Sequence, residues 1–113
     1  MSLRVILITG ANGGLGQAIA RDFLQESPAN IVWLGVRSKR EHADKLAKEY
    51  PDRCFCVALD VTSPESWKQA INEILTRHQR VDVLVNNAGS HEDCLLATMT
   101  LDSWRRILAT NLD

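Results

Sequence analysis

The residues best suited to chemistry lie in one loop. Thr9 to Gly16 reads TGANGGLG, with Gly10, Gly13, Gly14 and Gly16 falling within seven positions. Each glycine gives up more backbone freedom on folding than any other residue, so such a run is ordered where the backbone must bend tightly or approach a ligand. The loop follows the apolar segment RVILI and opens into QAIARDFL, a helix-like sequence. Backbone N–H groups and the positive end of a helix dipole then converge on the turn, and that combination holds the phosphates of a dinucleotide. A tight turn using glycine only for its torsions is the alternative. On the first reading Gly10, Asn12, Gly13, Gly14, Leu15 and Gly16 are candidate cofactor-binding residues.

A second group of polar residues bears on which dinucleotide. A turn that binds NAD carries an acid about 20 residues past the glycines, for the ribose 2′-hydroxyl. Twenty residues past Gly16 stands Val36, and Arg37, Ser38, Lys39 and Arg40 follow it. A guanidinium at Arg37, with Ser38 beside it, can grip a 2′-phosphate, so NADP(H) is the expected cofactor and NAD(H) the second choice. The same cations also read as the solvated first turn of a helix, although the helix dipole disfavours them there. Asp60, in LDVTSP, suits the helix N-terminus that follows it.

These residues need elements to position them. Four apolar runs read as strands: 4–9, 30–36, 54–59 and 81–86, the last rich in valine as buried strands are. Helical patterns lie between. The first sets Leu15, Ile19, Phe23 and Leu24 on one stripe; the second sets Ala43, Leu46, Ala47 and Tyr50, with Ser38 and Glu41 as a capping box and a stop at Pro51. The third has Ser63 as N-cap, Pro64 at the first helical position, and Trp67, Ala70, Ile71, Ile74 and Leu75 at helical spacing. A fourth starts near Thr100 and carries Trp104, Ile107, Leu108 and Leu112. Strictly alternating strands and helices build an α/β doubly wound parallel sheet with right-handed crossovers.

Counted through Gly10, Gly14 and Gly16 the loop is T-G-x-x-x-G-x-G, which resembles the short-chain dehydrogenase/reductase family. Counted through Gly10, Gly13 and Gly16 it is T-G-x-x-G-x-x-G, the form of the family's extended members, which include sugar-nucleotide epimerases. The fourth strand ends NNAG, Asn86 to Gly89, and resembles the compact branch. The resemblance implies a Rossmann-type sheet of order 3-2-1-4. It also implies that Asn87, Ala88 and Gly89 line the cofactor site, and that Asp60 reaches the adenine with Val61 packed beside it. The first and fourth strands flank the topological switch point, so these motifs are expected to share one crevice. One departure is Gly13: many NADP-preferring relatives carry a basic residue there.

The segment from Gly89 to Asp113 resembles the 3-oxoacyl-acyl-carrier-protein reductases of that family, through Asp93, Leu95, Leu96, Met99, Trp104, Ile107, Thr110, Asn111 and Leu112. Asn111 shares the inward face of its helix with Ile107 and Leu108, where an amide needs partners; a hydrogen-bonded core Asn is one reading. The resemblance makes it a catalytic residue, holding a water in a proton relay. The rest of that set is a Ser and a Y-x-x-x-K helix, in which the tyrosine protonates the carbonyl oxygen, the serine orients it and the lysine lowers the tyrosine's pKa. Here the single tyrosine, Tyr50, precedes Pro51, and Cys54 stands where the lysine would be.

Bulk properties narrow the partners. The 113 residues suit one domain, and a net charge of -1 suggests no electrostatic grip on nucleic acid or an anionic membrane. No run approaches the roughly 20 apolar residues of a membrane span. Cys54, Cys56 and Cys94 form no C-x-x-C pair, which fits a reducing, cytoplasmic setting with no metal site. Cys54 and Cys56 share a strand face and read as core thiols, His42 and His78 as surface residues, and His91 as a loop residue near the expected site.

The expectation is therefore residues 1–113 as an NAD(P)-binding domain, the cofactor-binding half of an NADPH-dependent ketoreductase acting on a small-molecule or acyl-carrier carbonyl. A non-catalytic NADP(H)-binding or sensor protein is the alternative. Ending within a helical pattern points to part of a longer enzyme, and the resemblance implies a homodimer or tetramer paired through residues 95–108. An isolated half would leave the outer edge of the 81–86 strand open to other chains.

Overall fold

The computed structural model describes residues 3–87 and 95–98. In chain order the elements are β1 (Arg4–Ile8), α1 (Gly14–Glu26), β2 (Asn30–Val36), α2 (Glu41–Glu49), β3 (Cys54–Ala58), α3 (Pro64–His78), β4 (Val83–Asn86) and β5 (Leu95–Thr98). They form one sheet of order β3-β2-β1-β4-β5. β1 pairs parallel with β2 and β4, and β2 with β3, which is the parallel sheet expected from the alternation, in the Rossmann-type order that the resemblance implies.

Side chains on a strand alternate between faces, and each face here meets a different helix layer. Ile6, Ile8, Val32, Leu34 and Cys54 pack with Ala20 and Leu24 of α1 and Ala43 and Leu46 of α2. Val5, Leu7, Trp33 and Val57 pack with Ala70, Ile71 and Ile74 of α3. Every residue of β2 is buried, as a strand covered on both faces must be. α3 begins as its sequence indicates: the Ser63 side chain accepts from the Ser66 N–H, with Pro64 in the first turn.

Four local expectations change. Leu15 is not on the buried stripe of α1; it is 55% exposed, and Gly16, Ala20 and Leu24 form that stripe. The Ser38–Glu41 capping box does not form, because α2 starts at Glu41 with Arg40 as its N-cap and no side-chain bond from that residue. His78 is half-buried rather than on the surface, since its Nδ1 accepts the Trp33 Nε1 hydrogen at 3.0 Å. Finally, the outer edge of β4 is covered by β5, which runs antiparallel to it with Val85 opposite Leu96. Unpaired strand edges offer a row of unmet N–H and C=O groups, and a returning segment satisfies them within the chain.

Candidate functional site

The carboxyl ends of β1 and β4 meet where the chain reverses its direction across the sheet, and the glycine loop fills that point. Gly10 has φ 60°, a left-handed conformation that side chains rarely take. It turns the loop out of β1. Ala11 is then held by a bond from its N–H to the Gly35 carbonyl at 3.1 Å, and its own carbonyl accepts from Gln17 Nε2 at 2.5 Å. Gly16 lies against this turn so closely that a Cβ there would be 2.8 Å from the Gly10 oxygen, 2.9 Å from Ala11 Cα and 3.1 Å from Asn87 Nδ2. A Cβ at Gly14 would meet nothing within 4 Å. The loop is thus packed on the protein side at Gly16 and bare on the outer side at Gly14.

The first turn of α1 contributes the electrostatics. Gly13 is its N-cap, no side chain caps it, and no acidic residue sits in the turn. Its first N–H groups and the positive end of its dipole are available to an anion. Leu15 projects beside them, exposed.

β4 docks onto this loop through a residue that the sequence reading passed over. Thr9 is fully buried; its Oγ1 receives the Asn87 N–H at 2.9 Å and lies 3.1 Å from Asn86 Oδ1. Asn87 Nδ2 donates to the Gly10 carbonyl at 3.3 Å. The glycine loop and the start of NNAG therefore share one crevice, as expected. A polar residue closing an otherwise apolar strand, RVILIT, was the available signal for Thr9.

On the other side the loop faces the β2–α2 connection. A cavity of about 310 Å³ is lined by Gly10–Gly13 and by Val36, Arg37, Ser38 and Lys39. A second, of about 660 Å³, lies between α1 and α2 and shares Asn12, Gly13 and Lys39 with the first. The Arg37 side chain is 75% exposed, and its Nε is 3.8 Å from Asp60 Oδ2. Asp60 Oδ1 accepts from the N–H and hydroxyl of Thr62 at 3.0 and 2.6 Å. These bonds, helped by Arg37, hold the Asp60 carboxyl below its ordinary range, so it is ionised at neutral pH. Val61 is half-buried and its carbonyl accepts the Trp67 Nε1 hydrogen at 2.9 Å. The Asn12 side chain turns away from the α1 turn: its Oδ1 accepts from the backbone N–H groups of His42 and Ala43 at 2.9 and 3.1 Å.

The candidates thus fall into three groups. Gly10, Asn12, Gly13, Arg37 and Ser38 line one hollow, with Asp60 beside Arg37, while Gly16 and Asn87 pack against the Gly10 carbonyl. Ala88, Gly89, His91 and Asn111 lie outside the described residues, as do Cys94 and most of the Gly89–Asp113 match. Cys54 is buried and Cys56 partly so, and burial pushes their thiols up to about 12 and about 11, as fits packing residues. Among the described residues no His, Cys, Asp and Glu group could hold a metal ion, and no helix is long and apolar enough to cross a membrane.

Known proteins are similar to this chain in sequence and in fold. The chain is 38% identical over 97% of its length to a meso-2,3-butanediol dehydrogenase of Serratia marcescens, of which it covers 43%. It is also 38% identical over 96% of its length to a 3-oxoacyl-acyl-carrier-protein reductase of Thermotoga maritima, of which it covers 44%. It therefore spans less than half the length of these relatives. Its structure matches the crystal structure of a short-chain dehydrogenase from Streptomyces avermitilis with a TM-score of 0.70 and 42% identity, over 78% of this chain and 31% of that one. A family profile for short chain dehydrogenases covers residues 4–113, and the chain belongs to that family of oxidoreductases.

Proposed function

We propose that the chain is the dinucleotide-holding part of an oxidoreductase that moves hydride between NADPH and a carbonyl or alcohol carbon, in the manner of a 3-oxoacyl-acyl-carrier-protein reductase. One observation carries the reading: the uncapped N-terminus of α1 and the exposed Arg37 flank one hollow beside the glycine loop. The residues fit the cofactor, because the backbone at Gly14 is bare toward the outside where a phosphate must approach. When bound, NADPH supplies the hydride.

Each residue then has a physical task. The first N–H groups of α1, from Gly14, Leu15 and Gly16, hold the pyrophosphate, while Gly10 and Gly13 shape the loop around it. Arg37, with Ser38 beside it, pairs with the 2′-phosphate through charge-assisted bonds. Ionised Asp60 accepts from the adenine amino group and keeps Arg37 turned toward the site, with Val61 packed alongside. Asn87, Ala88 and Gly89 line the ribose and nicotinamide side, and Asn111 holds a water for proton transfer. Tyr50, the chain's single tyrosine, is no candidate for the acid: it is the C-cap of α2, with Arg53 stacked 5.5 Å from its ring centre.

A second reading is a protein that binds NADP(H) without catalysis. The names of the relatives, one a diol dehydrogenase and one an acyl-carrier reductase, make a small alcohol or an acyl-carrier ketone the candidate substrates. We place the protein in the cytoplasm as a homo-oligomer, a dimer or tetramer.

Titration of the full chain with NADPH and NADH tests the reading. Binding of NADPH at least about tenfold tighter than NADH is expected, and Arg37→Ala should erase most of the difference while NADH affinity changes little, because only the 2′-phosphate meets the guanidinium. Failure to bind either dinucleotide would sink the assignment of TGANGGLG as a phosphate loop. A ketoester reduction assay separates the two readings: turnover with NADPH supports the enzyme, and binding without turnover supports the sensor.

A further inference from the structure

The Asn12 side chain occupies an unusual place in the site. A residue that caps a helix normally sits at its start and accepts from the second or third N–H of the first turn. In α2 those N–H groups belong to His42 and Ala43, and both donate to Asn12 Oδ1, 30 and 31 residues away in the glycine loop. The local N-cap, Arg40, has no such bond; its guanidinium is paired with Asp44 at 3.2 Å. So α2 is capped from the phosphate loop.

This bond closes a ring of fixed points around the basic segment. At one end Val36 is held in the sheet, with its carbonyl accepting the Leu59 N–H at 2.9 Å. At the other, α2 is tied to Asn12. Between them Arg37, Ser38, Lys39 and Arg40 are exposed, and the first three line the hollow that the glycine loop also lines. The loop is anchored in turn through Ala11 to Gly35. Asn12 and Lys39 stand where the two cavities adjoin, so the width of the hollow at that point depends on the Asn12 bridge.

We propose that Asn12 is a positioning residue that selects the phosphorylated dinucleotide: by capping α2 from the glycine loop, it sets the separation between that loop and Arg37–Lys39. The proposal rests on the NADPH reading above and adds to it the device that holds the discriminating cations in place. Asn12 acts through α2, and its side-chain oxygen is committed to the two amides. Gly13 carries no charge, so the cations on the β2–α2 side carry the recognition of the 2′-phosphate.

The test uses the full chain with NADPH and NADH as probes, and backbone amide exchange at His42 and Ala43. Asn12→Ala should speed exchange at those two amides and weaken NADPH by about tenfold, with NADH changed less than about twofold, since one charge-assisted contact is displaced. A second variant separates positioning from mere helix capping. Arg40→Ser gives α2 a local cap, so Arg40→Ser with Asn12→Ala should regain protection at His42 and Ala43 yet keep the loss of NADPH preference relative to Arg40→Ser alone. If that double variant regains the preference as well, Asn12 is only a cap and the proposal is overturned. Equal weakening of both dinucleotides by Asn12→Ala, or no weakening, overturns it too. A wild-type chain with no preference for NADPH, or an Arg37→Ala variant that keeps the preference, overturns the cofactor reading itself and this proposal with it.

Discussion

A methyl group added at Gly16 would lie 2.8 Å from the Gly10 oxygen and 2.9 Å from Ala11 Cα, both backbone atoms that cannot swing aside. One added at Gly14 would meet no protein atom within 4 Å. These two glycines should therefore respond differently to the same substitution. Gly16→Ala should displace the loop, lowering stability by about 1–3 kcal/mol as overpacking does, and abolish dinucleotide binding as a result. Gly14→Ala should raise stability by about 0.4–1 kcal/mol by restricting the unfolded chain, while weakening dinucleotide binding by placing a methyl on the bare outer side of the loop. Thermal unfolding and a dinucleotide titration on the same samples check both; a destabilised Gly14→Ala with intact binding contradicts the division. The loop's two possible glycine spacings looked equivalent on paper because both share Gly10 and Gly16. The geometry shows why: those are the two positions the protein itself constrains, through a positive φ and a close backbone approach. The role of Thr9 has no local signature, because its hydroxyl meets Asn86 and Asn87, 77 and 78 residues on.

Among the elements, α3 shows both a readable start and an unreadable end. Its N-terminal signals are local, Ser63 and Pro64, and they form as read. Its last residue, His78, took its environment from β2 and β3: the Trp33 indole donates to its Nδ1, and the Phe55 ring lies 5.2 Å from it, with Arg77 over Phe55 at 4.3 Å. Burial, then the positive charge of Arg77, lowers the His78 pKa. Protonation would also turn the acceptor nitrogen into a second donor facing the indole N–H. The sign follows from linkage. The unfolded chain protonates near pH 6.5, above the folded value, so it binds more protons as pH falls, and this contribution to stability is complete above about 6.5 and lost on acidification toward the folded pKa. The thermal midpoint should therefore drop between about pH 7.5 and about pH 5.5, and His78→Gln should make that drop smaller. Equal pH dependence in both proteins would remove His78 from the account.

At the scale of the molecule, the sheet formed by the described residues has β3 at one edge and β5 at the other. The antiparallel pairing of Leu95–Thr98 protects the β4 edge that a four-stranded parallel half would have left open. Proline at both Leu96 and Ala97 would remove the N–H that one of them donates to β4 and break the ladder there, and light scattering should then show the chain associating at concentrations where the wild type does not. An unchanged size would mean the β4 edge needs no cover. The amino-acid sequence by itself determined the α/β alternation, the parallel sheet, the family and the glycine-rich turn after β1, because these follow from short-range patterns: strand alternation, helical stripes, caps and glycine spacing. Only the tertiary structure decided that Asn12 caps α2, that Thr9 anchors Asn87, that His78 serves Trp33 and that Arg37 faces Asp60. Each of those contacts joins groups far apart in the chain, and no local propensity encodes a bond whose partner arrives only when the sheet closes.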